Sequence, residues 1–267
     1  MKVVSFDSLV ESGEYSKTST VFSIGVFDGV HLGHKAILER LIEVKKEMSA
    51  SLSAVITFSS NPKGRAGALD TLRLRAEYIQ SFGVDILAVI DFSPVFSKIT
   101  ACGFTELLLR AFQPVAAVVG EDFRFGNPES DGDGRTLERI LGSMGVVFRS
   151  YTVDSVRDER GDKISSTHLR QMIEKGDLRC FLSLSGQFYR VDLVPLPYRS
   201  GSGELIFSRA SIHQLLPPPG VYDAVLLLRN GKSAECTAEI DCGNLRVSGL
   251  CGKDELLLDS LYLEKRR

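Results

Sequence analysis

The chain has 267 residues, 43% of them apolar and 25% charged, which suits a folded protein of one large or two ordinary domains and excludes a disordered or fibrous one. Its 32 basic residues nearly cancel 34 acidic ones, so no bulk positive field points to nucleic acid or an anionic membrane, and any phosphate binding must come from a local site. No apolar run approaches the length of a bilayer span, and the opening MKVVSFDSLVES is too short and interrupted for a signal peptide; the expected address is the cytoplasm, with neither nucleic acid nor membrane as partner.

Through the first two-thirds, short β-branched runs alternate with amphipathic stretches, the rhythm of βα units. Val21 to Ile24 reads as a buried strand, and Ile37, Leu38, Leu41 and Ile42 then share one helical face. Between them stands Ile24-Gly25-Val26-Phe27-Asp28-Gly29-Val30-His31-Leu32-Gly33-His34. Its glycines let backbone approach a ligand closely, and a helix start offers free N–H groups to an anion. Histidines three apart there lie on one face, so His31 and His34 can both offer donors to a phosphoryl group. A metal half-site or an incidental surface pair is the plainer alternative. Only four histidines exist, however, and two of them form this H-x-G-H between strand and helix, which favours a nucleotide. The spacing does not fit H-E-x-x-H zinc chemistry.

Ala54 to Phe58, Ile86 to Phe92, Val115 to Val119 and Val146 to Tyr151 read as further strands of a parallel sheet covered on both faces. Phe123 and Phe125, at period two, read either as core packing with one ring in and one out, or as a stacking surface for an aromatic ligand. The segment NPESDGDGRT lacks the ligand spacing and terminal glutamate of an EF-hand and reads as a mobile flap. After the loop RDERGDK, Ile164-Ser165-Ser166-Thr167-His168-Leu169-Arg170 opens a helix with hydroxyl residues. Arg170 falls one turn beyond Ser166, so a hydroxyl, backbone N–H groups and a guanidinium can converge on one phosphate. Alone, S-S-T is simply a good N-cap; it gains force by following an H-x-G-H through several βα units.

Near Phe181 to Gly186 the pattern changes. Tyr189 to Val194, Val221 to Arg229 and Ser233 to Ile240 read as strands separated by turn signals, Asn230-Gly231 among them, with no helices between; a small antiparallel barrel or sandwich follows. PYRSGSGE and LLPPPG read as loops or turns inside it. The five cysteines form no C-x-x-C pair and are expected as reduced thiols; Cys236, Cys242 and Cys251 lie close in sequence but match no zinc motif.

H-x-G-H on the first βα turn with a late I-S-S-T-x-x-R resembles the nucleotidyltransferase superfamily. The fuller strings GVFDGVHLGH, TFSSNP, VVGEDFRFG and ISSTHLR, in family order across residues 1 to about 186, resemble the bacterial bifunctional riboflavin kinase/FAD synthetases. The resemblance implies an α/β fold, a Rossmann-like nucleotidyltransferase domain with a parallel sheet at 1–186, followed by a small antiparallel β-barrel at 187–267. It implies transfer of AMP from ATP to FMN with release of pyrophosphate, and magnesium held mainly by the ATP phosphates rather than by protein ligands. Carried over residue by residue, His31, His34, Ser165 and Arg170 form the catalytic set. Gly25, Phe27, Asp28 and Gly29 shape the ATP pocket, Ser166 and Thr167 help hold the distal end of the triphosphate, and Asn61, Pro62, Asp122, Phe123 and Phe125 line the flavin side. Asn61 stands where the family commonly has histidine or glutamine, which alters the reach of that contact.

In that family the second module phosphorylates riboflavin, with a P-T-A-N string that serves Mg-ATP. The best register here gives Ser208-Arg209-Ala210-Ser211, and the later N-I-G-x-x-P-T stretch, the catalytic glutamate and the terminal helix are not found. The expectation is a monofunctional FAD synthetase whose shortened barrel serves as a structural or protein-contact module. A diverged kinase site, another phosphorylated acceptor and a non-catalytic flavin-binding descendant are the alternatives.

Overall fold

Alternation of buried strands and amphipathic helices becomes a parallel sheet in the computed structural model, which describes residues 1–60, 67–201, 203–249 and 257–266. The elements run β1 (Lys2–Ser5), α1 (Phe6–Ser12), β2 (Tyr15–Ile24), α2 (Leu32–Glu47), β3 (Leu52–Phe58), α3 (Leu72–Ser81), β4 (Ile86–Ile90), α4 (Ala101–Ala111), β5 (Phe112–Gly120), α5 (Gly134–Ser143) and β6 (Arg149–Val153). Five parallel pairings give the strand order β1-β4-β3-β2-β5-β6. Residues 53–57 of β3 are buried without interruption, as expected of a strand covered on both faces. One face carries a core of Phe6, Phe22, Ile56, Phe104, Leu108, Phe112 and Leu137. On α2 the expected apolar face is present, with Leu38 and Leu41 buried and Ile37 and Ile42 partly so.

The strand order reverses at β2, whose sequential successors lie to one side through β3 and to the other through β5. Open parallel sheets bind ligands outside the carboxyl ends of the strands at such a switch point. The loop beginning Gly25 leaves β2, and the loop containing Asp122 leaves β5.

Two readings shift. The last strand of this sheet is Arg149–Val153 rather than Val146 to Tyr151: Val146 still closes α5 by donating its N–H to the Leu141 carbonyl, and Phe148 turns into the core before the ladder begins. The segment NPESDGDGRT is built from local caps, since Asn127 accepts from the N–H of Ser130 and Asp133 caps α5 by accepting from Thr136 at 2.8 Å.

The rest of the chain forms α6 (Ser166–Lys175), α7 (Leu178–Ser185) and seven strands: β7 (Tyr189–Asp192), β8 (Tyr198–Gly201), β9 (Glu204–Ser208), β10 (Gly220–Leu228), β11 (Ser233–Ile240), β12 (Asn244–Ser248) and β13 (Leu258–Arg266). They make one antiparallel sheet in the order β7-β13-β10-β11-β12-β9-β8, curled in the manner of a half-barrel. Asn230-Gly231 is the turn between β10 and β11, with Gly231 at φ 80°. PYRSGSGE, expected as a loop, is instead mostly the β8–β9 hairpin. It reads as loop because every residue of β8 is exposed, leaving no apolar alternation.

By packing, the chain divides into a unit of residues 1–27, 33–64 and 75–156 and a unit of residues 28–32, 65–74 and 157–267. In the second unit, the carboxylate of buried Asp192 accepts from Thr71 at 2.6 Å and from two nitrogens of Arg73, while Arg190 donates to Asp259 at 2.5 Å and to Ser260 at 2.6 Å. In the first, Asp85 accepts from Lys45 at 2.5 Å and from the N–H and hydroxyl of Ser53 at 2.7 Å each.

Burial alone would raise the pKa of Asp85, but the Lys45 ammonium and the Ser53 donors outweigh it and hold the carboxyl below its usual range. Asp259 behaves alike: burial acts upward, and Ser260, Arg190 and Arg73 together bring it down. A carboxyl depressed in the folded state contributes stability that is complete above its unfolded pKa, about 4, and is lost as pH falls through the folded value. Urea midpoints should therefore hold steady from neutral pH to about pH 5 and then decline. Asp85→Asn should lower the neutral-pH midpoint and flatten the acid decline, which a urea titration series across pH checks.

Candidate active site

Where β2 ends, Gly25 keeps the sheet register by donating its N–H to the Ile56 carbonyl at 3.1 Å. A Cβ at Gly25 would lie 3.0 Å from the ring of Phe27, so only glycine leaves that ring its place. Phe27 is buried at φ 53°, left-handed backbone that a bulky residue seldom adopts, and its ring lies 4.9 Å from that of His34. The bend is pinned from below: the Val26 carbonyl accepts from Thr57 at 3.0 Å and from Arg75, whose second nitrogen reaches the Phe58 carbonyl at 3.0 Å. Arg75, only 4% exposed, carries no sequence signal, being one of two arginines in an ordinary amphipathic helix.

α2 begins one residue after His31 and carries His34 in its first turn. That turn holds no acidic residue, while Lys45 and Lys46 stand in the last, so the positive end of the helix dipole is left for an anion. At the end of β5, a side chain on Gly120 would meet the Asp122 carboxylate at 3.3 Å and Ile37 of α2 at 3.5 Å. Phe123 and Phe125 stack on one another with centroids 5.5 Å apart and planes 9° from parallel. Phe125 is in the core against Phe104, and Phe123 is half-buried with one face on Phe125. Asn61 and Pro62 lie outside the described residues.

The second packing unit gathers the other predicted residues around Asp28, a carboxylate 4% exposed. Its Oδ1 accepts from the N–H groups of Leu69 at 2.8 Å and Asp70 at 3.1 Å. Its Oδ2 has no hydrogen-bond partner and lies 3.6 Å from the Arg170 guanidinium. The Asp28 carbonyl accepts from the Ser166 hydroxyl at 2.7 Å, joining two motifs 138 residues apart. Gly29 sits at φ 62°, left-handed backbone that favours glycine, and a Cβ there would lie 2.5 Å from the Leu69 side chain. Asp70 accepts from the Val30 N–H at 3.2 Å, and Gln187 donates to the Val30 carbonyl. Ser165 is the N-cap of α6, accepting from the His168 N–H at 3.3 Å, with Thr167 exposed on the first turn. Asp70 was invisible in the sequence because Asp-Thr before an amphipathic run looks like a helix start, and Thr71 does cap α3 through the Leu74 N–H.

Among the described residues no group of three His, Cys, Asp or Glu is placed to hold a metal ion. Cys102, Cys180, Cys236 and Cys242 are free thiols, and Cys251 lies outside the described residues. Burial pushes the Cys236 thiol up to about 11, which keeps it protonated and inert. Among the described residues no helix is long and apolar enough to cross a membrane. In the second unit, Ser208-Arg209-Ala210-Ser211 forms the end of β9 and a single 3-10 turn. Nη1 of Arg209 is buried there without a hydrogen-bond partner, beside a cavity of about 350 Å³ lined also by His213 and Leu216.

Comparison with known proteins agrees with the motifs. The family model for FAD synthetase matches residues 14–168. The bifunctional riboflavin kinase/FMN adenylyltransferase of Listeria monocytogenes is 28% identical over 244 residues, covering 87% of this chain and 76% of the relative. Its namesake from Haemophilus influenzae is 30% identical over 223 residues, covering 79% of this chain and 70% of the relative. A crystal structure described as a macrolide-efflux protein from Streptococcus pneumoniae superposes with a TM-score of 0.79 over 94% of this chain and 86% of that one; at 21% identity it speaks for the fold alone. With more than half its length matched by the family model and both packing units of the expected architecture, the chain belongs to the FAD synthetase family and is a nucleotidyltransferase of the FMN adenylyltransferase kind.

Proposed function

We propose that this chain transfers the adenylyl group of ATP to FMN and releases pyrophosphate, and that this is its one catalytic activity. The observation that carries the reading is the hydrogen bond from Ser166 to the Asp28 carbonyl with Arg170 beside the same residue, which unites the two phosphate motifs of the family. A phosphate oxygen of FMN attacks the α-phosphorus of ATP; that P–O bond forms as the bond to the bridging oxygen of pyrophosphate breaks. FMN phosphate is already anionic near neutral pH, so no general base is needed. The task is to align two anions and cancel their charge.

His31, His34 and the first turn of α2 supply donors to the α-phosphate region, while Gly25, Phe27, Asp28 and Gly29 shape the loop that lets backbone come close. Ser165, Ser166, Thr167 and Arg170 receive the leaving pyrophosphate at the start of α6. Asp122 and Phe123, with Asn61 and Pro62, are assigned to flavin binding by the family motifs; Phe125 backs Phe123 by stacking. Magnesium suits ligation by the triphosphate itself, because Asp28, the carboxylate of the loop, already serves Leu69, Asp70 and Arg170; when bound it would neutralise phosphate charge. The cytoplasm, where ATP and FMN meet, is the proposed location.

The functional boundary is drawn at residues 186 and 187, the second part being a kinase-derived barrel. Similarity to the bifunctional relatives runs over 244 residues and so extends into this part, which supports that descent. Arg209 supports the loss of kinase activity: a guanidinium stands where the family's threonine would serve Mg-ATP, and a fixed cation repels a metal ion. The retained barrel then serves as a structural or protein-contact module.

His31→Ala and His34→Ala should each lower FAD formation from FMN and ATP by about 100-fold or more with circular dichroism unchanged; parent-like turnover in both would remove the proposed mechanism. Incubated with riboflavin, ATP and Mg²⁺, the protein should form no FMN. Appreciable FMN would establish a diverged kinase site instead.

A further inference from the structure

Gln214 belongs to no motif, yet every polar atom of its buried amide is used. Nε2 donates to the Leu69 carbonyl at 2.8 Å and to the Arg190 carbonyl at 3.0 Å, and Oε1 accepts from the Asp192 N–H at 2.7 Å. The main chain reinforces this join: Leu215 donates to the Ala68 carbonyl at 2.9 Å, and Ala68 pairs with Gln214 as a parallel bridge. Leu69 and Asp70, thus tied to the antiparallel sheet, are the residues whose N–H groups hold Asp28 Oδ1, and Asp70 also holds the Val30 N–H. From Gln214 to Asp28 the path is one hydrogen bond, one residue of backbone and a second hydrogen bond, all inside the second packing unit. An amide suits this place because it must donate twice and accept once at positions where carbonyls and an N–H converge; a carboxylate would face two carbonyl oxygens and a hydrocarbon would leave all three groups unpaired.

We infer that Gln214 is a positioning residue for the loop Asp28–Leu32, acting through Leu69 and Asp70, so that the C-terminal sheet takes part in adenylyl transfer by fixing the nucleotide loop without touching substrate. The inference rests on the nucleotidyltransferase reading above. A displacement of the loop of about 1 Å is enough to spoil alignment for phosphoryl chemistry. It also assigns the barrel a use that survives the loss of its own reaction.

The test compares steady-state FAD formation in the 267-residue chain and three variants. Gln214→Glu keeps size and the acceptor for Asp192 but loses the donations; Gln214→Leu loses all three bonds. Tyr222→Phe removes a buried hydroxyl of the same sheet that donates to the Pro218 carbonyl at 2.5 Å, and controls for general loosening. Both Gln214 variants should raise the KM for ATP about tenfold while the KM for FMN stays at the parent value, and Tyr222→Phe should leave both unchanged. An unchanged ATP KM in folded Gln214 variants, or an equal rise in Tyr222→Phe, overturns the positioning role. If the parent protein itself forms no FAD, the nucleotidyltransferase reading fails instead.

Discussion

A single buried carboxylate, Asp28, organises the loop between β2 and α2. It is held by two backbone N–H groups, faces a guanidinium and presents its own carbonyl to a hydroxyl of a distant motif. A charge 4% exposed is tolerated only when its oxygens are compensated, and here Leu69, Asp70 and Arg170 do so. Removing one partner of such a buried pair typically costs about 3–5 kcal/mol, because the remaining charge stays buried. The arrangement therefore fixes three things together: the path of the glycine loop, the direction of Arg170 and the seat of residues 69 and 70.

The strand order reverses at β2, and the loops that leave the carboxyl ends of β2 and β5 begin at Gly25 and Gly120, two positions where a Cβ would press on a neighbour. Neither turn tolerates a larger residue without moving its neighbour. Phe27, held at positive φ against His34, shows the same economy: backbone strain is accepted at the loop and balanced by Arg75 and Thr57 below it. Within the second packing unit, Gln214 ties the antiparallel sheet to Leu69, whose N–H holds Asp28.

Much of this was legible because strand, turn and helix chemistry coincide with the motifs. His31, His34, Ser165, Ser166 and Arg170 stand at helix starts that the sequence marks with glycine or hydroxyl residues, and the parallel sheet shows as uninterrupted apolar runs. The parts that were not legible share a cause. Arg75, Asp70 and Gln214 act through partners distant in sequence, and a lone polar residue in a helix or loop gives no sign of which carbonyl it will meet. β8 has no buried face to create alternation. Phe125 could be read in two ways until Phe104 was seen against it, since period two describes a strand's core side and a ligand platform equally well.

The most direct test of the account is the ATP dependence of pyrophosphate release, with FMN present, in Asp28→Asn. This change keeps Oδ1 as the acceptor for Leu69 and Asp70 and replaces the charged Oδ2 opposite Arg170 by a neutral amide NH2. If that carboxylate sets the nucleotide loop and the direction of Arg170, ATP at concentrations that saturate the parent protein will no longer saturate the folded variant. Saturation at the parent's ATP concentrations with parent turnover would contradict it.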